Sequence, residues 1–286
     1  MFIFKAKSRF YGKFIFSFIY FPKQLPLGDY NTDSESVRPV KEFPFYSTRL
    51  KPIDYEHIIA DGNDFIDPYF PPNSTSILDE NMMKNQRVRD WETLVWKRPK
   101  DVYTEKGIPY TIFENIGPSD IKQGKCGDCY FLSSLSALAE YPERIKKIFI
   151  TDSVNEAGCY AVSLFVNGER KTVVVDDYFP YDNHRGTWAF SRPSEDKDDE
   201  IGRATKEIWV LILEKAWAKV FGSYQRIEAG TAGEAFYPLT GSPHKFFIHS
   251  EVRNLDRLYQ TILRSDMKKF PMCTAVASQA SEYLTR

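Results

Sequence analysis

Apolar and polar residues alternate with clear periods in four stretches of this chain, and each period predicts an element. Beginning at Cys129, good helix formers (Leu132, Leu135, Ala137, Leu138, Ala139) follow a Gly-Asp pair, so a helix starts at the cysteine. The runs Tyr160 to Val166 and Lys171 to Val175 flank Asn167-Gly168, a pair that tolerates positive φ and predicts a hairpin. From about Ala204 to Phe221, Trp209, Leu213, Ala216 and Val220 recur at helical spacing, as do Ile208, Leu211 and Ile212. That helix is apolar on more than one side and therefore buried, with Gly222 as its stop. Residues 254 to 270 form a fourth, amphipathic segment around Leu255, Leu258, Ile262 and Leu263, and Met272 to Ala277 reads as a strand.

Between these elements the pattern weakens. Residues 46 to 118 alternate short apolar clusters with Pro and Gly, which predicts loop-rich packing around the later helix. Residues 22 to 45, rich in Pro, Asp, Ser and Asn, carry no period and read as a linker. Ahead of them, Lys5, Lys7, Arg9 and Lys13 precede the apolar run Phe14 to Phe21. That run is too short to span a bilayer, which needs about 20 residues, and no small-residue cleavage site follows it. A disordered leader or a strand docked on the core is the expectation.

Composition narrows the function classes. With 42% hydrophobic residues over 286 positions the chain is globular, with one or two domains, and supplies a sizeable core. A formal net charge of -1 creates no long-range field to gather phosphate backbones, so nucleic acid is not an expected partner. Four cysteines without a small-domain spacing read as reduced thiols, which points to a reducing, cytoplasmic location rather than a disulfide scaffold.

The chemistry concentrates in Gln123 to Glu140, QGKCGDCYFLSSLSALAE. A helix start carries unpaired N–H groups and the positive end of the macrodipole, so Cys129 sits where its thiolate, the nucleophilic form, is favoured. Gln123, six residues earlier, carries a side-chain amide that can donate to an oxyanion at the same point. A cysteine is more often a small buried hydrophobe, and Cys126-Gly-Asp-Cys129 is also a C-x-x-C string, which elsewhere serves as a redox dithiol or half a zinc site. Cys159 and Cys273 stand alone, so a four-ligand zinc set is not complete.

The string QG-x-x-GDC followed by an aromatic residue resembles the active-site helix of the calpain family, calcium-dependent cysteine endopeptidases with a papain-like fold. Further blocks match in the family's order: FIDPYFPP (Phe65 to Pro72), WKRP (Trp96 to Pro99), VVVDDYFP (Val173 to Pro180), EIWVLILEKAWAKVFGSY (Glu207 to Tyr224) and LTG (Leu239 to Gly241). The resemblance implies an α+β papain-like fold, with residues 1–45 an extension, 46–229 the nucleophile-bearing first half and 230–286 the start of a second half. It implies Cys129 as nucleophile and Gln123 as oxyanion donor. It also implies a calcium site made by Asp120 and Glu207 with the carbonyls of Phe113 and Asn115; hard oxygen ligands suit Ca2+. Read without the resemblance, Asp120 caps a turn and Glu207 is an ordinary helix-face carboxylate.

Two departures matter. Tyr130 and Cys126 replace a Trp and an apolar residue of the family pattern and keep its bulk. The family's His in Gly-His-Ala and Asn in Asn-Pro-Trp-Gly are not found in this chain, and His57, His184, His244 and His249 lie in other contexts. The sequence therefore reads as a core cut short before its base and orienting residue. The expected activity is peptide-bond hydrolysis on protein substrates; the alternative is a catalytically inactive homologue that binds proteins. The acidic run Glu195 to Glu200 lacks a calcium-loop pattern and reads as a solvated insertion, and DGNDFIDP places Phe65 where a loop ligand belongs.

Overall fold

The computed structural model describes residues 3–5, 15–20, 48–82, 86–193, 206–248 and 252–276. The linker at 22–45, the acidic run at 195–200 and His249 lie outside them. Strands β1 (Ile3–Lys5) and β2 (Ile15–Tyr20) come first, then short helices α1 (Tyr55–Asp61), α2 (Ser74–Ile77) and α3 (Gln86–Arg89). Next are β3 (Val95–Lys97), α4 (Pro99–Thr104), β4 (Tyr110–Thr111), α5 (Cys129–Ala139) and α6 (Pro142–Lys146). Strands β5 (Cys159–Val166), β6 (Glu169–Asp176), β7 (Phe179–Asp182), β8 (Thr187–Trp188) and β9 (Lys206–Glu207) lead to α7 (Trp209–Phe221). Helix α8 (Ala232–Thr240), β10 (His244–Ile248), α9 (Leu255–Met267) and β11 (Met272–Val276) follow. The architecture is mixed α+β.

The hairpin is present as expected: β5 and β6 pair antiparallel from Cys159↔Asp176 to Val166↔Glu169, with Asn167 (φ 54°) and Gly168 (φ 80°) at the turn. One expectation needs correction. The long helix begins at Trp209, not near Ala204, because Lys206 and Glu207 pair in parallel with Tyr110 and Thr111 as a short extended ladder. Backbone bonded across that ladder is not available to a helix. The C-terminal end is as expected, with Gly222 in the left-handed region (φ 106°) donating to Ala218 O.

At the N-terminus the docked-strand expectation holds. β2 lies between β10 and β11, antiparallel to both, and β1 adds in parallel to β11, giving the order β1-β11-β2-β10. Strand β11 approaches α5, where Cys273 Sγ donates to Ser133 O at 3.4 Å.

Helices α5 and α7 form the centre. Every residue of α5 is buried, and of α7 all but Phe221. Phe131 stacks on Trp217 with ring centroids 4.8 Å apart and planes 9° from parallel, and Trp217 Nε1 donates to Tyr130 Oη at 3.1 Å. The tyrosine after the cysteine thus joins the nucleophile-bearing helix to α7.

The charges of α7 are buried with the apolar residues. Lys219 Nζ reaches Asp67 Oδ2 and Val174 O, each at 2.7 Å, and Lys215 pairs with Asp176 and donates to Tyr178 O at 2.7 Å. Asp176 Oδ2 in turn accepts from the Asp67 N–H at 2.7 Å. Arg98 Nε meets Asp177 Oδ1 at 2.6 Å, and burial pushes the Asp177 carboxyl up to about 6 against the pull of that guanidinium. The blocks FIDPYF, WKRP, VVVDDYFP and LEKAWAK are therefore distant segments joined by one buried ionic network. Lys219→Met leaves Asp67 buried and uncompensated, and a loss of about 3–5 kcal/mol is expected in urea denaturation. The Lys219→Met/Asp67→Asn double variant recovers part of it; additive losses would show that the two side chains do not act as a pair.

Candidate functional site

The loop preceding α5 is shaped by a close backbone approach. A Cβ on Gly124 would lie 1.8 Å from Phe190 O and 2.4 Å from Ala189 O, so only glycine lets residues 122–125 lie flat on residues 189–192. Lys125 N–H donates to Ala189 O at 2.8 Å, and Lys122 and Arg192 exchange both backbone bonds at 3.1 and 2.8 Å. Arg192 Nη2 adds a bond to Gln123 O at 3.1 Å. Gln123 itself is exposed, and its Nε2 donates to Cys126 O at 2.9 Å.

Cys129 is the first residue of α5, 9% exposed, and lies outside the clusters of packed apolar side chains that include Cys126 and Tyr130. The N-cap residue is Asp128, whose side chain makes no capping bond to the helix. Phe131 and Leu132 N–H bond to Asp128 O, which leaves the first-turn donors at Cys129 and Tyr130 outside the intrahelical ladder. From the other side, Gly127 O accepts from Ala229 N–H at 3.0 Å and Gly127 N–H donates to Glu228 Oε1 at 3.2 Å, so the glycine loop after α7 abuts the cysteine turn.

The C-x-x-C reading finds no support in this geometry. All four cysteines are free thiols, and Cys126 is fully buried with Sγ directed to Tyr224 O at 3.7 Å. Among the described residues, no three His, Cys, Asp or Glu side chains gather as a metal cluster. Burial pushes the Cys159 and Cys273 thiols up to about 12, which makes them poor nucleophiles.

The residues expected to hold calcium, two carboxylates with backbone carbonyls, fall on neighbouring segments. Asp120 is buried and accepts from Gly117 N–H at 2.6 Å. Glu207 Oε1 accepts from Asn115 N–H at 2.7 Å, whereas its Oε2 is a buried oxygen with no hydrogen-bond partner among the described residues. Burial raises the Glu207 carboxyl above its ordinary range, with further repulsion from Asp120 and Glu114. Phe113 O accepts from Thr111 Oγ1 at 3.2 Å. A bare buried carboxylate oxygen within electrostatic reach of two other acids is the kind of donor a hard cation satisfies.

The histidines occupy other places. His57, exposed on α1, faces Asp61 at 3.4 Å; His184 follows β7, where its N–H donates to Asp182; His244 begins β10 against Gly233, its pKa lowered by burial.

One further buried carboxyl braces this loop. Glu214, in the middle of α7 and 1% exposed, accepts the Ser191 N–H with both oxygens at 2.9 and 3.0 Å and the Ser191 hydroxyl at 2.8 Å. The available signal was two adjacent charges, Glu214 and Lys215, inside an otherwise apolar helix.

Comparison with known proteins fits this arrangement. The family model of the calpain family cysteine protease matches residues 65–286. The calpain-type cysteine protease ADL1 of Oryza sativa subsp. japonica is 37% identical over 190 residues, covering 65% of this chain and 8% of that protein. The calpain-type cysteine protease DEK1 of Arabidopsis thaliana is 33% identical over 214 residues, covering 72% and 9%. Calpain-13 of Rattus norvegicus is 30% identical over 213 residues, covering 73% and 30%. The chain thus spans less than a third of the length of these relatives, and the matched region contains the loop, the cysteine turn and both central helices. This chain belongs to the calpain family of cysteine proteases.

Proposed function

We propose that the chain carries the nucleophile-bearing part of a papain-like, calcium-dependent cysteine endopeptidase, with residues 46–229 as the first half and 230–286 as the opening of the second. The observation that carries this reading is the place of Cys129: first residue of a buried helix, clear of the apolar clusters, with its N-cap carboxyl not occupying the helix N–H groups. In the proposed step the Cys129 thiolate attacks a substrate carbonyl carbon, a C–S bond forms and the carbonyl π electrons move to oxygen. The Cys129 N–H and the Gln123 amide stabilise that oxyanion, after Gln123 turns from Cys126 O, and collapse expels the amine as it takes from an imidazolium the proton that the thiol gave up, leaving neutral imidazole. That imidazole, and the group orienting it, correspond to the family's His and Asn.

Asp120 and Glu207, with the carbonyls of Phe113 and Asn115, are the residues proposed to hold calcium. Bound there, the cation offsets mutual repulsion of the acids and ties the loop before α5 to the start of α7. A reduced, cytoplasmic setting suits four free thiols. Among the described residues no helix is long and apolar enough to cross a membrane. The second reading, an inactive protein-binding homologue, is favoured by one observation, the engagement of the Gln123 amide on Cys126 O.

A peptidyl aldehyde separates the two, because it forms a hemithioacetal whose oxygen needs the same donors. Capture is expected at Cys129, lost in Cys129→Ser and weakened about 10²-fold in Gln123→Ala. Capture that survives Cys129→Ser would sink the peptidase reading. Cys126→Ser should leave alkylation of Cys129 unchanged, whereas a coupled dithiol would alter it. For calcium, calorimetric titration should show at least a tenfold loss of affinity in Glu207→Gln; equal affinity removes that residue from the site.

A further inference from the structure

We propose that the cleft between α4, the turn from β7 to β8 and β9 is a binding site for a small anion carrying two or more phosphate groups. It uses none of the side chains assigned above to attack on a peptide, so it stands or falls apart from the peptidase reading.

The cleft arises where short, separately anchored segments meet. Lys106 lies in the turn after α4, which the Lys106 N–H closes onto Tyr103 O at 3.2 Å. Arg185 lies in the turn from β7 to β8, held by Asp182, whose O accepts from Gly186 N–H at 2.8 Å and whose Oδ1 accepts from His184 and Arg185 N–H at 3.0 and 3.2 Å. Lys206 opens β9, its N–H bonded to Pro109 O at 3.0 Å, and Arg192 is bonded through its backbone to Lys122. Between them lies a cavity of about 340 Å³, walled also by the aromatic side chains of Tyr103, Tyr181 and Trp188.

The charge of this wall is one-sided. Among the described residues that line it, Lys106, Arg185, Arg192 and Lys206 are cationic and none is acidic, in a chain whose formal net charge is -1. Like charges gathered in one concavity repel, and low-dielectric walls focus their field toward the opening. The Asp182 carboxylate beside the turn does not cancel them. Its Oδ2 is paired with Lys125 at 2.7 Å and stands 3.8 Å from Arg185 Nε, whose side chain is 70% exposed.

Arg192 supplies a second, independent observation. Its Nη2 donates to Gln123 O at 3.1 Å, which orients the guanidinium, while its Nε is a buried atom with no hydrogen-bond partner among the described residues. A buried donor left bare is costly, and a guanidinium presents N–H groups in a fork that matches phosphate oxygens. A phosphate oxygen would satisfy that donor, with the lysines and Arg185 as further charge partners. One phosphate group brings a charge of about -2 at neutral pH, which leaves part of the wall unbalanced, whereas a chain of two or three phosphates matches it. The volume lies at the lower end of the range of about 300–1,000 Å³ usual for small-molecule sites, which suits a compact ligand rather than a folded partner.

The test is calorimetric titration of the whole chain with sodium tripolyphosphate at low salt, in calcium-free buffer because the probe chelates that cation. One-to-one binding is expected, weakened about tenfold in Arg192→Gln. Arg192→Gln also loses the bond to Gln123 O, so a Lys106→Gln/Arg185→Gln double variant, confined to exposed side chains, serves as the second measure. It should keep the wild-type urea midpoint and lose about threefold in affinity per charge removed, about tenfold together. Citrate, a compact carboxylate anion, should bind about tenfold more weakly than tripolyphosphate. The same titration on a variant with Glu195, Asp196, Asp198, Asp199 and Glu200 changed to amides separates a ligand from the chain's own acidic run, which joins Pro193 to Lys206 in sequence. No binding to wild type, unchanged affinity in both cation variants, or equal affinity for citrate would overturn the proposal. Binding seen only in the amide variant would also overturn it, by assigning the cleft to that run.

Discussion

Segments far apart in this chain are registered against ionisable groups buried on one helix. α7 carries Glu214, Lys215 and Lys219 at 1% exposure or less, and each meets a partner from a different stretch of chain: Ser191, Asp176 and Asp67. Burying a charge costs several kcal/mol unless it is paired and hydrogen-bonded, and the arrangement that satisfies all of them at once is narrow. Apolar packing alone tolerates sliding by a turn; a lysine that must reach both Asp67 Oδ2 and Val174 O does not.

That rigidity reaches the cysteine by two routes. Phe131 and Tyr130 are held by Trp217, which fixes the start of α5 against α7. The loop before it rests on residues 189–192, which are anchored by Ser191 to the same helix. The proposed nucleophile and oxyanion donor therefore belong to different segments with a common reference. Such a shared support is what precise placement of a small reactive geometry requires.

Legibility in the sequence followed the range of the physics. Local rules succeeded where a few neighbours decide the outcome: Asn167-Gly168 sets the hairpin, Gly222 stops α7, and the period of residues 254 to 270 becomes α9. The start of α7 was misjudged because Lys206 and Glu207 answer to Tyr110 and Thr111, nearly a hundred positions away. The helix start at Cys129 is readable from a Gly-Asp pair before a helical run. The bracing by Glu214 is not, since a carboxylate inside an apolar helix becomes meaningful only once Ser191 is brought to it. The docking of the aromatic N-terminal run was one of several open expectations, as a six-residue apolar strand says nothing of which strands it will join.

That last strand has a bearing on how the molecule is made. β2 is an inner strand of its four-stranded sheet, and both neighbours come from the far end of the chain, with Ile15 opposite Val276 and Tyr20 opposite His244. During synthesis the segment IFSFIY emerges early and waits, both edges bare, until more than two hundred residues have been added. Such short, uncharged aromatic stretches are prone to self-association, and pairing across so long a loop is slow. The sheet that holds β2 therefore closes late, once β10 and β11 have both been made.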